Sequence, residues 1–207
     1  MAPPARGPAS LDDMLQSIRE GRACEIIAGE LVEKAAGDER HGAAQAELIG
    51  RVHPEYNQRP GGRGRSPGGW WIRFEVDIWF GDDVYRPDLS GWRRDRTPVM
   101  PDQWPVPAPP DWVAEVLSAS TSKRDLGVKM RAYHAANVGH YWVVDRMTQV
   151  FYVYRWSPRA YEVALTAFIG DRVRAEPFEA VEIVVGRLFG VEEEEPDPSD
   201  QGGHHGA

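Results

Sequence analysis

The chain has 207 residues, 42% of them hydrophobic and 27% charged, values ordinary for a soluble globular protein. No run approaches the roughly 18 apolar residues a membrane span needs. The single cysteine, Cys24, excludes an intramolecular disulfide and a cysteine-based zinc site. The net charge of −8 argues at first against a nucleic-acid partner, but it is unevenly spread. The end of the chain, "VEEEEPDPSDQGGHHGA", holds six acidic residues and no Lys or Arg; without it 26 acidic residues face 24 basic ones, a net of −2. Residues 191–207 are therefore expected to be a solvated acidic tail, with His204 and His205 part of it, and residues 10–190 one nearly neutral domain. The opening "MAPPARGPAS" has no apolar signal-peptide core, so residues 1–9 read as a loose N-terminus and the expected location is cytoplasmic.

In chain order, "SLDDMLQSIREG" predicts a helix: Ser10 caps it, acids fill its first turn, and Gly21 stops it. "ACEIIAGELVEKA" predicts a hairpin turning at Ala28-Gly29. A second helix is expected over roughly 38–57, followed by a loop, "RPGGRGRSPGG". "WWIRFEVDIWF" (70–80) predicts a strand, and "VYRPDLSGW" the returning arm of its hairpin. A Pro-rich loop leads to "DWVAEVLS", a nearly all-apolar strand of the kind buried on both faces. "TSKRDLGVKMRAYHAAN" predicts a helix with Ser122 and Asp125 in capping-box spacing, and "HYWVVD" a second buried strand. Strand, helix and strand make a right-handed βαβ unit with parallel strands. "VFYVYRWS", "AYEVALTAF" and "VEIVVGRLF" predict a closing meander with Asp171-Arg172 in a turn.

Two carboxylates sit where unpaired charge is costly. Glu115 lies inside the apolar run "WVAEVLS", on the strand face it shares with Val113 and Leu117. Asp88 follows Pro87 near the preceding strand. If the two strands pair, the acids converge at one sheet edge, a hard-oxygen site suited to Mg²⁺ or Mn²⁺. Asp125, Lys129 and Tyr133 recur every four residues and share a helix face. From Glu115 to the strand end is about 10 Å at roughly 3.3 Å per residue, and from Ser122 to Lys129 about 10 Å at roughly 1.5 Å per residue. Lys129 is thereby level with Glu115.

"RPD", followed by "VAEVLSASTSKRDLGVKMRAYHAANVGHYWVVD", resembles the Uma2 family, also known as DUF820, of restriction-endonuclease-like proteins. The hairpin "EIIAGELVE" followed by His41 resembles the family's opening, and the likeness spans roughly residues 24–190. It implies membership of the PD-(D/E)XK nuclease superfamily: a mixed α/β chain with a restriction endonuclease-like core, its mixed β-sheet flanked by helices. It also implies Mg²⁺-dependent (or Mn²⁺-dependent) phosphodiester hydrolysis of DNA. On this chain Pro87-Asp88 is the PD element and Glu115 the second acid, the two holding the metal with a backbone carbonyl near Val116. Leu117 stands where the motif lysine is expected, so the resemblance gives that role to Lys129. A homodimer would bring two sites to two DNA strands.

Other readings compete. A catalytically silent relative would bind nucleic acid or a protein partner, and a scaffold would keep Glu115 and Lys129 only as a buried ion pair. Asp125 reads as a helix N-terminal acid rather than a ligand. Tyr133, Tyr141 and Trp142 read as core, and His41, at the start of its helix, either approaches the site or caps the helix, with the cap favoured. Glu30 and Asp77 are further candidate ligands. Arg59, Arg63, Arg65, Arg93, Arg94 and Arg96 are candidate phosphate contacts, each weighed against a solvated loop.

Overall fold

A computed structural model of the chain describes residues 8–34, 37–61, 66–119 and 122–192. Residues 1–7, Arg63, Arg65 and all but the first two residues of the expected tail, His204 and His205 included, lie outside them.

Helix α1 (Leu11–Arg19) begins as expected: Ser10 and Asp13 form a reciprocal capping box. Strands β1 (Cys24–Ile27) and β2 (Glu30–Glu33) form the predicted hairpin. Its two turn residues, Ala28 and Gly29, both have positive φ, as a tight primed turn demands. Helix α2 (Glu39–Tyr56), capped by the Asp38 side chain, buries Ala44, Leu48, Val52 and Tyr56 along one face.

The next hairpin is divided. β3 (Trp70–Phe74) pairs with β6 (Leu89–Arg93), and β4 (Ile78–Phe80) with β5 (Asp83–Tyr85). Sequence reasoning expects two unbroken arms; three residues on each arm, 75–77 and 86–88, instead leave the ladder. Pro87 explains part of the break, since it has no N–H to give. The outer half joins a four-stranded antiparallel sheet in the order β2-β1-β5-β4, and the inner half joins a six-stranded sheet.

β7 (Trp112–Leu117) and β8 (His140–Asp145) are the parallel pair of the predicted βαβ unit. The antiparallel strands β9 (Val150–Trp156) and β10 (Tyr161–Phe168) complete the large sheet in the order β10-β9-β8-β7-β6-β3. The helical crossover has three parts: α3 (Ser122–Arg124), a wide π-type turn over Asp125–Lys129, and α4 (Met130–Ala135). Ser122 lies inside the first turn, so the expected cap at Ser122 is not its role. The expected strand "VEIVVGRLF" is also corrected. β12 is only Ile183–Val184, paired with β11 (Arg172–Val173), and the chain then coils into a 3₁₀ turn, Val185–Phe189. Val185 and Leu188, three apart, are both buried by that turn.

The large sheet separates two apolar cores. α2 packs on the face carrying Trp112, Ala114 and Val116. The other face, with Val113, Leu117 and Tyr141, meets Tyr133 of α4 and Phe80 and Tyr85 of the small sheet. This is a mixed α+β chain with helices on both faces of a mixed sheet, as predicted. Gly91 of β6 sits deep in the first core. A Cβ there would lie 3.0 Å from the Trp112 ring, 3.1 Å from Ile72 and 3.2 Å from Trp70. Gly91→Ala should therefore overpack the core and cost about 1–3 kcal/mol in urea unfolding; an unchanged midpoint would show that these rings yield.

Candidate active site

Asp88 is supplied by the break in the divided hairpin. The β6–β7 ladder ends at Leu89 opposite Ala114. The His140 N–H bonds to the Asp111 carbonyl, which turns the odd-numbered residues of β7 toward β8 and the even-numbered ones toward β6. Val116 thus presents its N–H and its carbonyl beyond the end of β6. The N–H donates to Asp88 Oδ2 at 2.7 Å, and the carbonyl faces the same side.

Asp88 is 1% exposed. Lys34 Nζ lies 2.9 Å from Oδ1, and His41 Nε2 3.4 Å from the same oxygen. Burial pulls this carboxyl up. The His41 hydrogen bond, the Lys34 charge and the Val116 N–H outweigh it and hold Asp88 well below the usual carboxylate range. Burial likewise pulls the Lys34 ammonium down, but Asp88 and Glu115 reverse the sign and raise it.

Glu115, in the middle of β7, is 2% exposed. Its Oε1 accepts from Lys129 Nζ at 3.0 Å and from the Tyr133 hydroxyl at 2.7 Å. Lys129 is also buried; its Nζ lies 2.9 Å from Glu25 Oε1 and 3.4 Å from Asp125 Oδ1. Burial pushes the Glu115 carboxyl up to about 8, with Lys129 opposing and Asp125 and Asp88 reinforcing the rise. Burial pulls Lys129 down, but Glu115, Glu25 and Asp125 together hold it well above the ordinary lysine range.

The predicted trio is therefore brought together. Asp88, Glu115, Val116 and Lys129 line one cleft of about 340 Å³, with Lys34 and His41 on its wall and Arg124 and Arg146 at its rim. The shared face of Asp125, Lys129 and Tyr133 holds as well, and all three are buried. The wide turn does not disperse them.

Other expectations are revised. Asp125 does lie in the first turn of the wide helical segment, as expected, but it is buried there and lines the cleft. His41 is not the cap; Asp38 caps α2, accepting from the His41 N–H at 2.8 Å, and the His41 ring turns to Asp88. Asp77 is bound at both oxygens, by Arg86 at 2.7 Å twice and by Trp104 Nε1 at 2.7 Å. It is a structural ion pair of the hairpin. Glu30 is exposed and faces a separate groove with Pro8 and Asp13. Tyr133, Tyr141 and Trp142 pack in the cores as expected, although Tyr133 also anchors Glu115.

Sequence reasoning missed two groups. Glu25 is fully buried; its Oε1 takes Lys129 and the Arg86 N–H at 2.7 Å, while its Oε2 has no hydrogen-bond partner and lies 3.6 Å from Arg124. The signal was present: Glu25 lies among Cys24, Ile26 and Ile27, just as Glu115 lies among valines and leucine. Lys34 had no local signal, because its partner is 54 residues away.

The model of the Uma2 family, described as "putative restriction endonuclease", matches residues 11–186. The chain belongs to the Uma2 family. A solved structure with a similar fold is that of a putative nuclease belonging to DUF820 from Anabaena variabilis ATCC 29413. It aligns with a TM-score of 0.67 at 22% identity, covering 88% of this chain and 98% of that one. No curated protein matches. For this Uma2 chain the solved structure supports the fold: a large mixed sheet with flanking helices.

The fit of a divalent cation turns on the donors. Among the described residues no group of three or more His, Cys, Asp or Glu side chains is arranged to hold a metal. The oxygen set is two carboxylates and the Val116 carbonyl, to which Pro87 has no N–H to offer. Such hard oxygens match Mg²⁺ or Mn²⁺, with water completing the octahedron. Lys129 and Tyr133 both end on Glu115 Oε1, so a cation would take Oε2.

Proposed function

We propose that this Uma2 chain is a metal-dependent endonuclease that hydrolyses DNA phosphodiester bonds. The convergence of Asp88, Glu115 and Lys129 on one cleft carries this reading. Asp88, Glu115 Oε2 and the Val116 carbonyl would hold Mg²⁺ or Mn²⁺. That ion supplies Lewis-acid polarisation of the scissile phosphate and a water of lowered pKa. Lys129, fixed beside Glu115, orients the attacking water and offers positive charge to the phosphate oxygens as negative charge builds on them. Tyr133 holds Glu115 in one rotamer. Lys34, Arg124 and Arg146 line the cleft with the positive charge a phosphate requires. The water adds to phosphorus as the ester P–O bond breaks. A homodimer would cut both strands of a duplex, and a cytoplasmic location fits this role. No helix among the described residues is long and apolar enough to cross a membrane.

One observation favours a second reading, a silent nuclease-fold protein that binds nucleic acid. Asp88 and Glu115 are each already paired with a lysine, and a cation must displace or share those contacts. Calorimetry separates the two. Mn²⁺ should bind the wild type, and Asp88→Ala/Glu115→Ala should abolish the binding, with Mg²⁺-dependent nicking of plasmid DNA lost in parallel. Equal Mn²⁺ binding by both proteins would remove these residues from the site. Mn²⁺ binding without nicking would support the silent relative.

A further inference from the structure

The described arginines between residues 59 and 96 divide into two groups. Arg86, Arg93 and Arg96 pair with Asp77, Asp95 and Asp111. Arg59, Arg73 and Arg94 make no ion pair among the described residues, although the chain as a whole is acidic. These three are neighbours. Burial lowers the Arg94 pKa, and the charges of Arg59 and Arg73 lower it further. Clustered like charges are unfavourable in isolation, yet two of the three are pinned. Arg94 Nε donates to the Trp70 carbonyl at 2.9 Å, and its guanidinium lies 3.3 Å from the centroid of the Trp71 ring. Arg73 donates to the Ile72 carbonyl at 2.8 Å and to Asn57 Oδ1 at 3.3 Å.

Beside this cluster runs a groove of about 670 Å³ walled by Arg59, Arg94, Trp71, Val99 and Met100. Val99 is 79% exposed, an unusual position for valine, and Arg94, stacked on Trp71 and half-buried, lines the groove with it. The groove therefore combines two cations outside any ion pair, one of them pinned on Trp71, with flat and apolar surface. A nucleotide has the same two parts, a phosphate and a flat ring. Arginine planes stacked on an aromatic ring are platforms for bases, and unpaired arginines suit phosphates.

We propose that this groove binds a single-stranded segment of the nucleic acid, with phosphate on Arg59 and Arg94 and a base stacked between the Arg94 plane and Val99. The proposal rests on the nucleic-acid reading of the cleft and extends it to a second contact. The separation is suitable. Asp88 and Arg94 lie at the two ends of β6, about 20 Å apart at roughly 3.3 Å per residue. That is about six nucleotides if successive bases are stacked roughly 3.4 Å apart.

The test is fluorescence anisotropy of the full chain with a short labelled oligothymidylate, in EDTA so that no turnover occurs. Arg59→Ala/Arg94→Ala should weaken binding at least about tenfold. It should also lower the slope of log affinity against log salt by about 1.4, at ~0.7 per phosphate lost. Val99→Asp, on an exposed side chain that burial does not hold, should weaken binding with an unchanged melting temperature. Arg94→Lys should keep the slope and lose affinity, because it keeps the charge and not the plane. No binding by the wild type, or unchanged affinity in both the double variant and Val99→Asp, would overturn the proposal. Equal competition by dextran sulfate, a polyanion without bases, would overturn the stacking contact. None of these readings requires metal. Failure here leaves the Mn²⁺ test of Asp88 and Glu115 standing, and failure there leaves this assay readable.

Discussion

Lys129→Met should reduce Mg²⁺-dependent DNA cleavage about 10²–10³-fold, the size of effect seen when one preorganised charge stabiliser is removed. It should at the same time cost about 3–5 kcal/mol of metal-free stability, because a buried charge cluster loses its cation. Lys129 is the common partner of Glu25, Glu115 and Asp125, and removing it leaves this buried acidic cluster without its shared cation. A divalent cation at the same place would neutralise part of that charge. Mn²⁺ should therefore raise the melting temperature of the variant more than that of the wild type, and calorimetry should show affinity retained or tightened. Lys123→Ala is the control. Lys123 is exposed on α3, and its loss should leave cleavage within a few-fold. Wild-type cleavage by Lys129→Met, or loss of cleavage in Lys123→Ala alone, would move the catalytic lysine elsewhere.

Glu115→Gln should make metal-free stability nearly independent of pH between 5 and 9, whereas the wild type should lose stability as pH rises through that window. Glu115 ionises at about 8 in the folded chain, well above the unfolded carboxylate range near ~4.3. A raised carboxyl favours its protonated form, so its stabilising effect is complete below the unfolded value and gone above the folded one. Each tenfold change in proton affinity is worth ~1.36 kcal/mol, so the loss across this window is several kcal/mol. With roughly 2–4 °C per kcal/mol for a chain of this size, that is on the order of 10 °C. Asp88 does not mask the effect. Its depressed value gives stability that is already complete above the ordinary carboxylate range and is lost only in stronger acid. Saturating Mn²⁺ should flatten the wild-type profile by holding Glu115 ionised. A wild-type melting temperature that is flat from pH 5 to 9 without metal would refute the raised value.

Much of this site is legible in the sequence because its members break local rules. Glu115 interrupts an apolar strand, and Lys129 and Tyr133 follow Asp125 at a helical period. The geometry of strand and helix then sets Lys129 beside Glu115, and the Nζ–Oε1 distance of 3.0 Å agrees. Glu25 broke the same rule and was equally readable. What was not readable came from long-range pairing. Lys34 ends an exposed strand, and only the closure of the small sheet on the large one brings it to Asp88. His41 sits where a cap is expected, but Asp38, one turn earlier, takes that role and frees the His41 ring for Asp88, a partner 47 residues away. The shortness of β12 is not legible because "IVVG" suits a buried strand or a buried turn equally, and a short apolar run carries no period to separate them.

The divided hairpin has a consequence for which length changes this chain can accept. Phe74 pairs with Leu89 and Ile78 with Tyr85, so the two unpaired stretches are equal in length and the pairing resumes in step beyond them. One residue added to a single arm would turn every side chain after it to the opposite face. Trp92 would leave its core, and Asp88 would point away from Val116. A matched addition of two residues on each arm keeps both the pairing and the faces and only enlarges the gap. Natural variation between Trp70 and Arg93 should therefore come in pairs, with odd changes in length confined to the Gly81–Asp82 tip.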